Sequence, residues 1–400
     1  MTNILSARNT NLEVVRGIAA FAVVIGHIVD KLPEISKQKN HLINMISNWG
    51  IESVIIFFVL SGLVIHSSLE KKPRSAKRFL YERLIRIYPT LLISILLTVL
   101  IDFYIFGNDL NYKKIIANVI PVSTLTGNIS AVYWQSNPVI WSLSFEIFFY
   151  FIFAVFVIRD KKYSFLRICI WFVFGLVSQI LYFIPVQKSF LSYLIEMMAF
   201  SPIWITGFLI WEFNKRYTVN FVTAMLSLSC LPLISRLHLT SAYYDPCKFL
   251  LFAIVSIPLF SFLSKEKQYG KEKTKSDLQI RFAIAIIYLI SSSLLLFDSS
   301  YAFTIKVLYC TLPWLALLFH IGILKKGFIA LYLNLVRPLF YQTGKISYSL
   351  YLLHYPILML IYYTLSISLV LKIGIMLITT LIFCYILEKY IQKAVNRNFL

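Results

Sequence analysis

The sequence is poor in charged residues. Only 14% of its 400 residues are Asp, Glu, Lys or Arg, whereas 59% are hydrophobic and the mean hydropathy is +0.76. A soluble protein of this length could not bury so much apolar surface, which excludes the soluble classes. The apolar runs are long and continuous rather than alternating, which argues against a transmembrane β-barrel. The composition therefore predicts an all-α fold, a polytopic bundle of about 10–12 transmembrane helices.

Patterns that hold metals, disulfides or phosphates are missing as well. The five cysteines lie in or beside apolar segments and form neither a CxxC pair nor a Cys/His cluster. We therefore expect no disulfide and no metal site. The GxxxxGK[ST] pattern of phosphate-binding loops and the GxSxG pattern of soluble acyl-enzymes are absent. These absences argue against the common soluble nucleotide-binding and serine-hydrolase sites.

Acidic residues are scarce, 18 against 38 Lys and Arg, so the net charge is +20. The basic residues lie between apolar runs, where they orient a membrane protein, and we expect no nucleic-acid partner. With the N-terminus inside, most of them fall on the cytoplasmic side, and both termini are predicted to be cytoplasmic. The predicted spans are 12–30, 47–68, 84–106, 139–158, 165–184, 193–213, 218–236, 246–263, 280–297, 302–324, 346–366 and 367–388.

The organisation along the chain is simple. The first apolar segment has no cleavage site of small residues, which favours a retained span over a signal peptide. There is no internal repeat, and the chain stops soon after the last predicted span. We therefore expect a single integral membrane domain over residues 1–400, without an appended soluble domain.

Two ionisable residues, Arg16 and His27, lie within the first predicted span. Eleven residues apart on a helix, they share one face to within about 20° and are separated by roughly 16 Å. Ionisable groups inside a membrane are costly and are kept to line a cavity, to pair or to do chemistry. His27 is a candidate general base, since histidine accepts a proton near neutral pH. The alternative is a polar residue that bonds a neighbouring helix.

Two carboxylates, Glu52 and Glu146, are predicted at a similar depth. Glu146 belongs to a polar stripe with Ser142 and Tyr150, because the three recur at four-residue intervals on one helix. Either carboxylate could hold the His27 imidazole in the right tautomer and stabilise its protonated form. His354, in the eleventh predicted span, is a second acid–base group, a cofactor contact or a helix–helix bond.

Arg83 and Arg86 lie three residues apart at the entry of the third predicted span. Together with Arg16 they form a set of cations on the inner side of the membrane. Arginine binds phosphate oxygens with two parallel hydrogen bonds. The set would suit a phosphate-bearing ligand such as coenzyme A. The alternative is that these arginines set the topology and contact lipid phosphates.

Five patterns occur in a fixed order along the chain. As a set they resemble the acyltransferase-3 family of integral membrane acyltransferases, from about residue 10 to residue 390. The patterns are RGIAAF at 16–21 running on to Gly26 and His27, GIE at 50–52 with FFVLSGLVI at 57–65, RLIRIYP at 83–89, WSLSFEIFFY at 141–150 and SYSLYLLHYP at 347–356.

The resemblance implies an enzyme in the bacterial cytoplasmic membrane that moves an acyl group, commonly acetyl, from cytoplasmic acyl-CoA. The acceptor would be a hydroxyl of an extracytoplasmic glycan such as capsule, O-antigen or exopolysaccharide. His27, Glu146 and Glu52 would be catalytic, and Arg16, Arg83, Arg86 and His354 would contact the donor. Some family members carry a fused esterase-like domain. Without one, this chain would act alone or hand its acyl group to a separate extracytoplasmic partner.

A transporter or flippase of a lipid-linked glycan or acyl donor is the alternative function. Twelve spans are common among transporters, but the chain shows no self-similar halves of the kind that inverted repeats leave. Release of CoA coupled to an acylated product would distinguish the two, because a transporter forms no new bond. If the chain is an enzyme, the outer loops 31–46 and 107–138 are expected to select the acceptor.

Overall fold

The computed structural model describes residues 9–37, 49–120, 134, 136–158, 164–184, 190–240, 244–265, 274–316, 318 and 322–399. Within these ranges the chain is helical and has no strand, which confirms the predicted all-α class. Apolar segments in lipid must satisfy their own backbone hydrogen bonds, and a helix does this within one segment. The principal helices are α1 Thr10–Lys31, α2 Pro33–Ser36, α3 Trp49–Lys71, α4 Ala76–Tyr104, α5 Tyr112–Val119, α6 Trp141–Ile152, α7 Ser164–Tyr182, α8 Phe190–Arg216, α9 Phe221–Ser235, α10 Pro246–Val255, α11 Ile257–Ser264, α12 Thr274–Phe297, α13 Phe303–Leu315, α14 Gly322–Leu331, α15 Arg337–Lys345, α16 Ser347–Thr364, α17 Leu369–Ile386 and α18 Gln392–Phe399.

Eight helical segments in the described ranges are long and apolar enough to cross a membrane, which makes this a multi-pass membrane protein. A ninth span is present if α10 and α11, which meet at an angle of 43°, count as one. The break falls just before Pro258, which has no N–H to continue the hydrogen-bond ladder. The predicted spans 218–236 and 302–324 correspond to the shorter helices α9 and α13.

The chain forms two compact units. The first comprises the described parts of Met1–Arg16, Ile55–Lys71 and Pro202–Gln342, and α9 packs there against α10, α11, α12 and α13. Within this unit α3 and α8 touch closely at two glycines, since a Cβ at Gly62 would overlap the Trp204 carbonyl oxygen. A Cβ at Gly207 would overlap the Val59 carbonyl oxygen in the same way.

The second unit comprises the described parts of Gly17–Val54, Lys72–Ser201 and Thr343–Leu400. Its most buried helix is α16, which packs against α4 and α17 and has hardly any exposed side chain between Ser349 and Met359. Side chains join α4 to α16, because Ser94 Oγ donates to the Leu352 carbonyl at 2.8 Å. This packing positions the polar residues of the candidate site.

Candidate active site

His27 of α1 and His354 of α16 form a hydrogen-bonded pair. The Nδ1 atom of His27 lies 3.0 Å from the Nε2 atom of His354, and the two ring centroids are 5.1 Å apart. The ring of Tyr355 meets His27 edge-on at 5.2 Å. His354 is only 1% exposed. His354, for which the sequence left three roles open, is therefore a hydrogen-bonded partner of His27.

The backbone determines which nitrogens of this pair carry protons. The Nδ1 atom of His354 lies 3.0 Å from the Leu350 carbonyl oxygen, which can only accept, so Nδ1 donates. The Nε2 atom of a neutral His354 is then an acceptor, and the Nδ1 atom of His27 donates to it. The Nε2 atom of His27 keeps its lone pair. The arrangement can take a proton from a hydroxyl at that nitrogen.

The carboxylates suggested as partners of His27 lie elsewhere in the second unit. Glu146 accepts a hydrogen bond from the Tyr150 hydroxyl one turn further along α6, so the two form a pair on the predicted polar stripe. Glu52 lies in the first turn of α3. Neither is hydrogen-bonded to His27 in the part of the chain that the structure describes, and the orienting contact comes from His354.

The three arginines have different surroundings. Arg86 makes two hydrogen bonds, of 2.7 and 3.1 Å, to the Glu388 carboxylate. Arg16 lies 3.6 Å from Glu13, three residues before it on α1. Arg83 lies over the rings of Phe79 and Tyr150, at 5.4 and 5.9 Å from their centroids. Its buried Nε has no hydrogen-bond partner among the described residues, so Arg83 keeps a donor for an anion.

Glu388 is a residue that the sequence analysis missed. It lies in the π-helical turn Leu387–Ile391 and also accepts a hydrogen bond of 3.0 Å from Ser349. A lone acid in an apolar segment is itself a signal of a buried partner, and this signal was present in the sequence. Single π-turns within α-helices are frequent at functional sites.

A second polar cluster lies in the first unit. The potential ligand atoms of His66, Glu70 and Glu212 are within 4.8 Å of one another, a group that could hold a metal ion. The Lys215 ammonium lies 2.8 Å from both carboxylates and offsets part of their negative charge. The spacing of His66 and Glu70, four residues apart on α3, was visible in the sequence. Glu212 joins them only in the folded chain.

Of the outer segments predicted to select an acceptor, 31–46 and 107–138, positions 38–46, 121–133 and 135 lie outside the described residues. Tyr133 is among them, while Trp134 is described and buried.

Comparison with known proteins identifies the family of the chain. A family model described as an acyltransferase domain matches residues 9–389, nearly the whole chain. No curated protein and no solved structure matches. The matched residues include the histidine pair and all three arginines.

Proposed function

Because the chain belongs to the acyltransferase-3 family and spans a membrane several times, we propose that it acylates an extracytoplasmic glycan. The donor is cytoplasmic acyl-CoA, with acetyl as the expected group, and the acceptor is a hydroxyl of capsule, O-antigen or exopolysaccharide. The protein lies in the bacterial cytoplasmic membrane with both termini inside. The observation that carries this proposal is the hydrogen-bonded pair of His27 and His354.

His27 is the general base. Its Nε2 lone pair takes the proton of the acceptor hydroxyl as the hydroxyl oxygen attacks the thioester carbonyl. His354 is a positioning residue, because it accepts the Nδ1–H of His27 and is itself held by the Leu350 carbonyl. It does for His27 what a carboxylate does in a hydrolase triad, with a neutral group in place of a charged one.

The transfer balances without a further reactant. The new bond joins the acceptor oxygen to the acyl carbon, and the carbon–sulfur bond of the thioester breaks. The proton taken up by His27 passes to the departing CoA thiolate. The products are an O-acylated glycan and free CoA, and His27 returns to its starting tautomer.

Arg83 binds the phosphate groups of the donor. Its guanidinium lies over the rings of Phe79 and Tyr150, and its Nε is free to donate in the described part of the chain. Arg86 is committed to Glu388 by two hydrogen bonds, which assigns it a supporting role. Arg16, at 3.6 Å from Glu13, is a further donor contact.

The test compares cells that lack the gene with cells complemented by wild type, His27→Ala or His238→Ala. His238→Ala is the matched control, because it also removes a histidine. The His238 side chain contacts Asp298 and Tyr301 instead of His354. Surface-glycan acetylation should return with wild type and His238→Ala but not with His27→Ala, at equal protein levels in the membrane. Purified wild type should release CoA only when an acceptor is present. Glycan export that changes without any change in acetylation would indicate a transporter instead.

A further inference from the structure

Asn137 is a buried amide two residues before the fourth predicted span, 139–158. It is 1% exposed and immediately precedes the 3₁₀ turn Pro138–Ile140, which leads into α6. Its Nδ2 atom donates two hydrogen bonds of 2.9 Å, to Ser94 Oγ and to Thr98 Oγ1 of α4. Its Oδ1 atom has no hydrogen-bond partner among the described residues.

The neighbouring hydroxyls determine the orientation of this amide. Ser94 Oγ donates to the Leu352 carbonyl at 2.8 Å, and Thr98 Oγ1 donates to the Ser94 carbonyl at 2.7 Å. Each hydroxyl has one proton, so both must accept from Asn137. A flipped amide would place its oxygen against two oxygens that have no proton to give. The free group is therefore the acceptor oxygen Oδ1, and it needs a donor.

Asn137 is linked to the helix that carries His354. Its partner Ser94 bonds the carbonyl of Leu352, two residues before His354. Two residues after Asn137, the Val139 carbonyl accepts from the Tyr351 hydroxyl at 3.0 Å. The Tyr351 ring centroid is 6.3 Å from that of His354. Just before Asn137 in the chain, Trp134 Nε1 and the Ser136 hydroxyl donate hydrogen bonds to Asp102 of α4.

We propose that Asn137 Oδ1 accepts a hydrogen bond from a hydroxyl of the acceptor glycan and so forms an acceptor subsite connected to α16, the helix that carries His354. This inference rests on the proposed function. The missing partner of Oδ1 must be a hydrogen-bond donor, and sugar hydroxyls supply such donors. An unmet buried acceptor is costly, and a site built around a substrate hydroxyl discriminates strongly against ligands that lack it.

The test uses purified full-length protein, radiolabelled acetyl-CoA and de-O-acetylated surface polysaccharide from a strain lacking the gene. Asn137→Leu should raise the KM for polysaccharide by about 10-fold or more, as for a lost buried hydrogen bond, and leave the KM for acetyl-CoA within about twofold. Gln179→Leu is the matched control, since it replaces another buried amide whose Nε2 donates to the Ala199 carbonyl. It should change neither KM.

Ligand-induced shifts of Tm give a second readout that needs no turnover. Acetyl-CoA should raise the Tm of wild type and Asn137→Leu equally, which also shows that the variant is folded. The polysaccharide should raise the Tm of wild type only. Asn137→Ser is measured in parallel, in case leucine prevents folding.

Each other result has a distinct meaning. A rise in the KM for acetyl-CoA alone would assign Oδ1 to the donor and overturn the subsite. If neither KM changes and polysaccharide still shifts the Tm of Asn137→Leu as it does that of wild type, the subsite is overturned. The partner of Oδ1 would then be a bound water. A wild type that transfers no acetyl group but binds polysaccharide in an Asn137-dependent way would refute the proposed function and support the subsite.

Discussion

The Nδ1 atom of His27 lies 3.0 Å from the Nε2 atom of His354, although 327 positions separate them in the chain. The Leu350 carbonyl accepts a hydrogen bond from the Nδ1–H of His354, so the contact leaves the Nε2 lone pair of His27 as the free basic site. This relationship assigns the two histidines different tasks. Variants at each position should therefore have different consequences.

Removing the His27 imidazole should lower the rate of transfer far more than weakening its hydrogen bond to His354. We expect His27→Ala to lower kcat for transfer by about 10²–10⁴-fold, the usual contribution of a general base. At the second position, His354→Gln should retain more activity than His354→Ala, because an amide oxygen can still accept the Nδ1–H of His27. Assays of CoA release with varied acetyl-CoA check this. A higher KM for acetyl-CoA with kcat unchanged in His354→Ala would show instead that His354 contacts the donor.

Variants of Arg83 and Arg86 should have different effects, the first on donor binding and the second on the stability of the fold. Arg83→Gln removes a guanidinium whose buried Nε has no bonding partner in the described part of the chain. The KM for acetyl-CoA should rise by about 10-fold or more, with little change in Tm. Arg86→Gln leaves Glu388, 13% exposed, without its two hydrogen bonds from Arg86 and should cost about 1–3 kcal/mol of stability.

The double variant Arg86→Gln with Glu388→Gln provides the control, because neutral amides can bond each other and no buried charge is left. Its Tm should recover much of the loss seen in Arg86→Gln. A rise in the KM for acetyl-CoA caused by Arg86→Gln, without loss of Tm, would place Arg86 on the donor.

The close contact between α3 and α8 should leave no room for a side chain at Gly62. In Gly62→Ala the added Cβ meets the carbonyl oxygen of Trp204, and backbone cannot move aside as a flexible side chain does. We expect a loss of about 1–3 kcal/mol or more. In Gly374→Ala the new Cβ meets nothing within 4 Å, and stability should stay level or rise by up to about 1 kcal/mol. Thermal unfolding in detergent compares the two, and equal Tm values would contradict the close contact.

The acid stability of the protein should depend on Asp298. The Ser300 hydroxyl and backbone N–H, together with His238, lower the pKa of the Asp298 carboxyl from 3.8 to about 2. A carboxyl whose pKa is lower in the folded chain stabilises the fold above its unfolded pKa, and this stabilisation is lost as the pH falls through the folded value. The Tm difference between wild type and Asp298→Asn should shrink as the pH falls from about 5 towards 2. A constant difference down to pH 2 would exclude this effect.

The helical segments were largely predictable, because each apolar run must form its own backbone hydrogen bonds in lipid. The predicted span 12–30 lies within α1, Thr10–Lys31, and the predicted spans 346–366 and 367–388 correspond to α16 and α17. The predicted span 246–263 differs, since the structure divides it into α10 and α11, which meet at an angle of 43°. Hydropathy alone does not reveal where a helix stops inside an apolar run.

The sequence by itself determined the membrane-spanning all-α class, the family and the candidate residues, because composition and local motifs are properties of neighbouring positions. Only the tertiary structure decided which of these residues meet. His27 pairs with His354 rather than with a carboxylate, and Glu388 binds Arg86 while Arg83 keeps a free Nε in the described part of the chain. These choices depend on how each helix is rotated against its neighbours, which residue spacing within a single helix cannot specify.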